Sequence, residues 1–129
     1  MTKRDCIIDV GTVFTVEWYF DEKGYSQGYE YFLQTSNDQK RKFLLLVKKM
    51  VEFGKILDIT KYRNEGDGIY AFKPQPDRYL SFFIKGKKII ITNAFYKNTD
   101  KLPKSEKERA LSHMASYQKR NQEGTYYVD

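Results

Sequence analysis

The sequence predicts an α+β fold: a small, mostly antiparallel sheet covered by helices on one face. Three observations carry this reading. A strand-like run, GTVFTVEWYF, lies at 11–20. A capped amphipathic helix follows at about 36–53, and three further strand-like runs separated by turn residues come after it. A last helical segment then follows a basic, Pro-containing loop. The order is β-α-α-β-β-β-α, a strand, two helices, a meander and a helix, which suits helices packed on an antiparallel sheet. At 129 residues the chain has room for one core, so residues 1–129 are read as a single domain.

Each element has a local cause. Val, Thr, Phe, Trp and Tyr dominate residues 11–20, and Asp21-Glu22-Lys23-Gly24 closes that strand as a turn. Ser26 is placed to cap a short helix carrying Tyr29, Phe32 and Leu33. Ser36 and Gln39 form an S-x-x-Q capping box. In the helix that follows, Phe43, Leu46, Val47, Met50 and Val51 share one face, and Gly54 sits where a left-handed cap belongs. Gly68 to Lys73 reads as a strand, Pro74 to Asp77 as its turn and Arg78 to Ile84 as the next strand. Lys85-Gly86-Lys87 makes a tight hairpin. In the third strand, Lys88 to Phe95, the consecutive Ile89, Ile90 and Ile91 predict burial on both faces. Ser105 and Glu108 suggest a second capping box, opening a helix that runs to about Arg120 with Ala110, Leu111, Met114 and Tyr117 inward. Residues 1–10 and 121–129 are expected to be poorly packed.

Composition narrows the function classes. No apolar stretch approaches the ~20 residues of a membrane span, and the N-terminal residues do not read as a signal peptide. A cytoplasmic protein without a membrane partner is the simplest expectation. One cysteine, Cys6, excludes an internal disulfide and a cysteine-based metal site; one histidine, His113, excludes any scheme needing two. The formal net charge is +6, unevenly spread: residues 1–84 carry +1, residues 85–120 carry +7 and residues 121–129 carry −2. A concentrated basic field favours polyanions, nucleic acid first, although a solvated basic face has the same composition.

The segments DQKRKFLLLVKKMVEFGK and GDGIYAFKPQPDRYLSFFIKGKKIIITNAFYKNTDKLPKSEKERALSHMASYQKR carry a resemblance. Gly68-Ile69-Tyr70 opens a strand and Arg78 opens the next. Phe95-Tyr96-Lys97 ends the apolar strand, and Lys101-Leu102-Pro103 with Glu106 leads into a helix containing Ala110. In this order the elements resemble the RelE/ParE superfamily of type II toxin–antitoxin toxins, in its phage-derived, HigB-like branch. The resemblance spans roughly residues 12–120. It implies a RelE-like fold and a ribosome-dependent mRNA endoribonuclease, a hydrolase-type mRNA interferase that needs no metal or cofactor. It also implies a cognate antitoxin of helix-turn-helix type, with operator DNA bound only through that antitoxin. A minority of the superfamily poison gyrase instead. A non-catalytic basic binding protein of the same fold, acting as a gyrase poison or binding antitoxin and DNA, is therefore the alternative. Three positions depart from the pattern: Ala71 stands where a glutamate is common, Lys73 where an arginine is, and Asn93 where a histidine is.

The residues suit RNA chemistry by the 2′-OH route, in which charge stabilisation at phosphorus is commonly the largest contribution and proton transfer is the other. Arg78, whose guanidinium can grip a phosphate in bidentate fashion, Lys73 across the turn from it, and Lys97 at the end of the apolar strand are the catalytic candidates. Arg78 and Lys97 are expected to be exposed. Asn93 is a candidate hydrogen-bond donor to RNA, and Lys101 and Lys104 are candidates for steering its backbone. Tyr117 either stacks on a base or packs in the core. His113 is a minor candidate proton carrier.

Overall fold

A computed structural model describes residues 2–127. In chain order its elements are α1 (Lys3–Cys6), β1 (Ile7–Val10), β2 (Thr15–Trp18), α2 (Gln27–Gln34), α3 (Asn37–Phe53), β3 (Tyr62–Gly66), β4 (Ile69–Phe72), β5 (Asp77–Ile84), β6 (Lys88–Tyr96) and α4 (Lys104–Glu123). The strands form one sheet in the order β1-β2-β6-β5-β4-β3. All neighbours are antiparallel except β2 and β6, which run parallel, with Thr15 opposite Lys88 and Trp18 opposite Ile91. The α+β class and the mostly antiparallel sheet agree with the sequence. Two edge strands, β1 and β3, and the short α1 are additions to it.

The helices do not lie on one face. The α2 and α3 side buries Val16, Trp18, Phe43, Val47, Phe72, Tyr79, Ile89 and Ile91. The other side buries Ala71, Leu80, Phe82 and Ile90 against Ala110 and Tyr117 of α4. The reason is in the central strands. All three isoleucines of β6 are fully buried, Ile89 and Ile91 on one face and Ile90 on the other. A strand apolar at every position must be covered twice.

The helix signals before the meander fold as expected. Ser26 caps α2 through its side chain, and Ser36 and Gln39 complete both bonds of the capping box on α3. Gly54 adopts φ 77°, where a Cβ would be strained, and its N–H closes α3 on the Met50 carbonyl. Gly28 is buried for a different reason: a Cβ there would stand 3.3 Å from the Trp18 ring. Ser36→Ala should lower stability by about 1 kcal/mol, read from the shift in a urea unfolding midpoint.

Two expectations are corrected near the C-terminus. Ser105 and Glu108 form no capping box. The helix starts at Lys104, and Pro103 is the N-cap, without a side-chain bond. Leu102 packs into the second core, which brings the chain in early, and the Pro103 carbonyl accepts the Glu106 and Lys107 N–H groups. The terminal segments are not loose either. β1 pairs with β2, Cys6 is buried, and Tyr126 is buried against Tyr19 and Tyr117. The Tyr126 hydroxyl accepts the Phe20 N–H, and Tyr127 donates to the buried Glu17, which also pairs with Lys88 at 3.2 Å. Val128 and Asp129, in the second expected tail, and Met1, in the first, lie outside the described residues. No helix is long and apolar enough to cross a membrane among the described residues.

Candidate functional site

Where β4 ends and β5 begins, the strands turn back on each other through residues 73–76. The register sets Ala71 opposite Leu80 and Phe72 opposite Tyr79. Because side chains alternate, Ala71, Arg78 and Leu80 share the α4 face, while Asp77 and Tyr79 point to the α3 face. Asp77 is fully buried there, accepting hydrogen bonds from Tyr31 and from Gln39. Arg78 is thereby left without its sequence neighbour as an ion-pair partner.

A pocket opens at this corner. Ala71, Leu80, Phe95 and Leu102 give it apolar walls, and Lys73, Arg78 and Lys101 supply positive charge; Glu65 and Asp100 also line it. A shallower groove continues from it past Arg63, Lys104 and Lys107, sharing Glu65, Asp100, Lys101 and Leu102 with the pocket. The fold thus gathers basic residues from β3, the β4–β5 turn, the start of β5, the loop after β6 and the first turns of α4.

Arg78 is 8% exposed, not the surface residue the sequence suggests. Its Nη1 donates to the Asp77 carbonyl at 3.0 Å and to Gln75 Oε1 at 3.4 Å. Its other two guanidinium nitrogens have no partner among the described residues. One edge of the planar group is fixed and the other is available for an anion. Burial lowers the pKa of Arg78 from its ordinary value, against the opposing pull of Glu65, Asp100 and Asp77. Lys73 donates to the Ile59 carbonyl at 3.1 Å. Its pKa is also lowered, first by burial, then by the Arg78 charge, with Arg63 and Lys97 adding and Glu65 opposing. Clustered cations favour proton release from a lysine.

Lys97 is half-buried and reaches the pocket wall through Asp100, with Nζ 2.9 Å from Oδ1. The hydrogen bond from Lys97 holds the Asp100 carboxyl below its usual value. Lys101 is exposed on the rim and Lys104 is exposed at the start of α4, 3.9 Å from Glu108. These five predicted residues belong to one basic surface.

Asn93 and Tyr117 do not. Asn93 is fully buried; its Nδ2 donates to Glu106 Oε1 at 3.0 Å and its Oδ1 accepts from Thr92. Its amide is spent in joining β6 to α4, so the expected RNA contact is corrected to a structural one. Tyr117 is 1% exposed, packs against Phe82 and Tyr126, and bonds the Tyr127 hydroxyl at 2.7 Å. Of its two readings, core packing holds and base stacking does not. His113 stacks on Tyr19 with centroids 4.6 Å apart, and burial lowers its pKa. It lines a separate depression with Asp21, Tyr25 and Arg109, away from the basic pocket.

The sequence reading missed Arg63, Glu65 and Lys107 as members of this surface. Arg63 and Glu65 belong to β3, a strand with no apolar alternation to reveal it. Lys107 projects from α4 to pair with Asp67 at 2.8 Å. No group of three or more His, Cys, Asp or Glu side chains converges among the described residues.

The fold and site define a small α+β domain with a cationic pocket at the corner of its sheet, of a kind suited to a phosphate-bearing ligand. The model of the Gp49-like family of phage-derived proteins (DUF891) matches residues 30–115, and the chain belongs to that family. The matched span runs from α2 into α4 and includes every residue of the pocket. No curated protein matches the chain.

Proposed function

We propose that this protein is the toxin of a type II toxin–antitoxin pair, of the RelE/ParE superfamily and its HigB-like branch, and that it cleaves mRNA on the ribosome by the 2′-OH route. The observation that carries the reading is Arg78: a nearly buried guanidinium, clamped on one edge and unpartnered on the other, in a pocket with Lys73 and Lys101. A fixed cation of this kind suits the extra negative charge that develops on phosphorus during cleavage, and it needs no reorganisation at that moment. Lys73 and Lys97 add charge, and Lys101 and Lys104 extend the field along the groove for the RNA backbone. Membership of a phage-derived Gp49-like family is compatible with the toxin reading.

The partners of this reading are mRNA, the ribosome and a cognate antitoxin, with operator DNA reached only through the antitoxin. An acidic segment of the antitoxin laid over Lys73, Arg78 and Lys97 would inhibit by occupying the phosphate site. Induced expression followed by mapping of mRNA 5′ ends tests the function. New ends should accumulate within coding regions for the wild type and not for an Arg78 variant. Growth arrest without new ends would reject the nuclease.

One observation favours the alternative of a non-catalytic binder: position 71 presents only a methyl group to the pocket, and Asn93 is sealed in the core. A gyrase supercoiling assay identifies the gyrase-poison form of that class, since only that form would inhibit it. Under the nuclease reading the basic groove should make RNA affinity fall with salt. Each neutralised phosphate contributes about −0.7 to −0.9 to the log–log slope. A titration from low to high salt with a flat response would remove the groove from the binding surface.

A further inference from the structure

Cleavage by the 2′-OH route needs a group that accepts the hydroxyl proton, and the inference drawn here rests on that nuclease reading. Ala71 and the buried Asn93 cannot supply it. Several carboxylates lie around the pocket, and most are committed. Asp100 is held by Lys97 at 2.9 Å and Asp67 by Lys107 at 2.8 Å. Glu106 accepts from Asn93 at 3.0 Å and from Arg109 at 3.2 Å. Asp77 is buried on the opposite face. Glu65 differs: it is half-buried, lines both the pocket and the groove, and has no hydrogen bond or ion pair among the described residues.

Its backbone setting is also unusual. The register of β3 on β4 runs Asn64 opposite Tyr70 and then Gly66 opposite Ile69, so Glu65 is the extra residue of a β-bulge. The Asn64 side chain accepts the Gly66 N–H at 2.9 Å and holds the bulge closed. A bulge re-aims the side chain it carries, which here is the carboxylate. Around it stand Lys73 from the β4–β5 turn and Arg78 from the start of β5, Asp100 and Lys101 from the loop after β6, and Lys104 and Lys107 from α4.

We propose that Glu65 is the catalytic base of this site. Its carboxylate takes the proton of the ribose 2′-OH as the 2′-oxygen forms a bond to the adjacent phosphorus. The bond from phosphorus to the 5′-oxygen breaks, its electron pair stays on that oxygen, and the Lys73 ammonium gives it a proton. The products are a 2′,3′-cyclic phosphate and a 5′-hydroxyl. Water then returns a proton to Lys73 and removes the one on Glu65. The lowered pKa of Lys73 suits it to the acid's part.

The test is single-turnover cleavage of mRNA on programmed ribosomes by the full chain. Glu65→Gln should slow cleavage by about 10²–10⁴-fold. It should also abolish the acid limb of the pH–rate profile, along which the rate rises as a carboxylate ionises. RNA affinity should hold or increase, because a negative charge has been removed from a basic surface. Glu65→Asp should retain the acid limb at a reduced rate, which a merely structural role would not predict, and it serves as the second variant if the glutamine protein does not fold. An mRNA with 2′-deoxyribose at the scissile position should bind and remain intact. If the wild type cleaves nothing, the nuclease reading fails and this proposal with it. If the wild type cleaves and Glu65→Gln cleaves as fast with an unchanged acid limb, the nuclease stands and Glu65 is not its base.

Discussion

Replacing Arg78 by lysine is expected to lower the single-turnover cleavage rate by about 10²–10³-fold, the usual cost of removing one preorganised donor from a charged transition state. Lysine keeps the positive charge and much of the stem. It loses the planar fork, of which one edge is held by Gln75 and the Asp77 carbonyl while the other is unpartnered. A point charge on a flexible stem cannot be clamped in the same way. Alanine would be a less informative substitution than it would be on a surface, because Arg78 is nearly buried and its removal opens space beneath the β4–β5 turn. Thermal melts of both variants separate the effects: Arg78→Lys should melt close to the wild type, and Arg78→Ala should melt lower. A lysine variant with wild-type cleavage would show that bulk charge suffices and that the fork is not used.

The largest effect on stability is expected from Tyr126. Its ring lies 4.5 Å from that of Tyr117 and 6.0 Å from that of Tyr19, and Arg120 stands over it at 4.7 Å. Arg120 also donates to the Phe20 carbonyl at 2.6 Å, beside the N–H that bonds the Tyr126 hydroxyl. Tyr126→Ala should cost about 3–5 kcal/mol, the range for large aromatic truncations in a core. That is a large fraction of the ~5–15 kcal/mol of a typical domain. Tyr126→Phe keeps the packing and leaves only the Phe20 N–H without its acceptor, at about 1–3 kcal/mol. Denaturant midpoints of the two variants give both numbers. A loss below about 1 kcal/mol for the alanine variant would mean that the C-terminal segment does not hold the second core together.

How much of this was legible depends on how locally each feature is encoded. The capping box at Ser36 and Gln39, the cap at Gly54 and the doubly buried isoleucines are fixed by residues a few positions apart, and they fold as read. β3 leaves no mark in the sequence because YRNEG has no alternation of apolar residues; as an edge strand it needs none. The tail reads as loose in the sequence because its contribution is concentrated in Tyr126 and Tyr127, whose partners lie in β2 and just beyond it. Within the site, Lys73 and Arg78 were found together because a short turn joins their strands. Glu65 was not, because a bulge shifts the register and no sequence period reveals it. Residue type alone makes Asn93 a candidate donor to RNA and leaves Tyr117 between stacking and packing; their burial follows from α4 lying on the face opposite α2 and α3.

The parallel pairing of β2 with β6 has a consequence for the route by which the molecule forms. Thr15 must find Lys88, and everything between them has to be looped out before that contact is rewarded. The segments β3 to β6 pair in sequence through short turns, and α3 carries its own start and stop signals, so these are low-contact-order units that can form early. β2, with β1 beside it, is then the non-local addition that closes the sheet. The strands and turns that carry the basic pocket therefore lie wholly within the locally paired part of the chain, while β2, paired at long range, completes the opposite core around Trp18. Sequence changes in β1 and β2 would act chiefly on the speed of completing that core, leaving the local assembly of the cationic corner largely untouched.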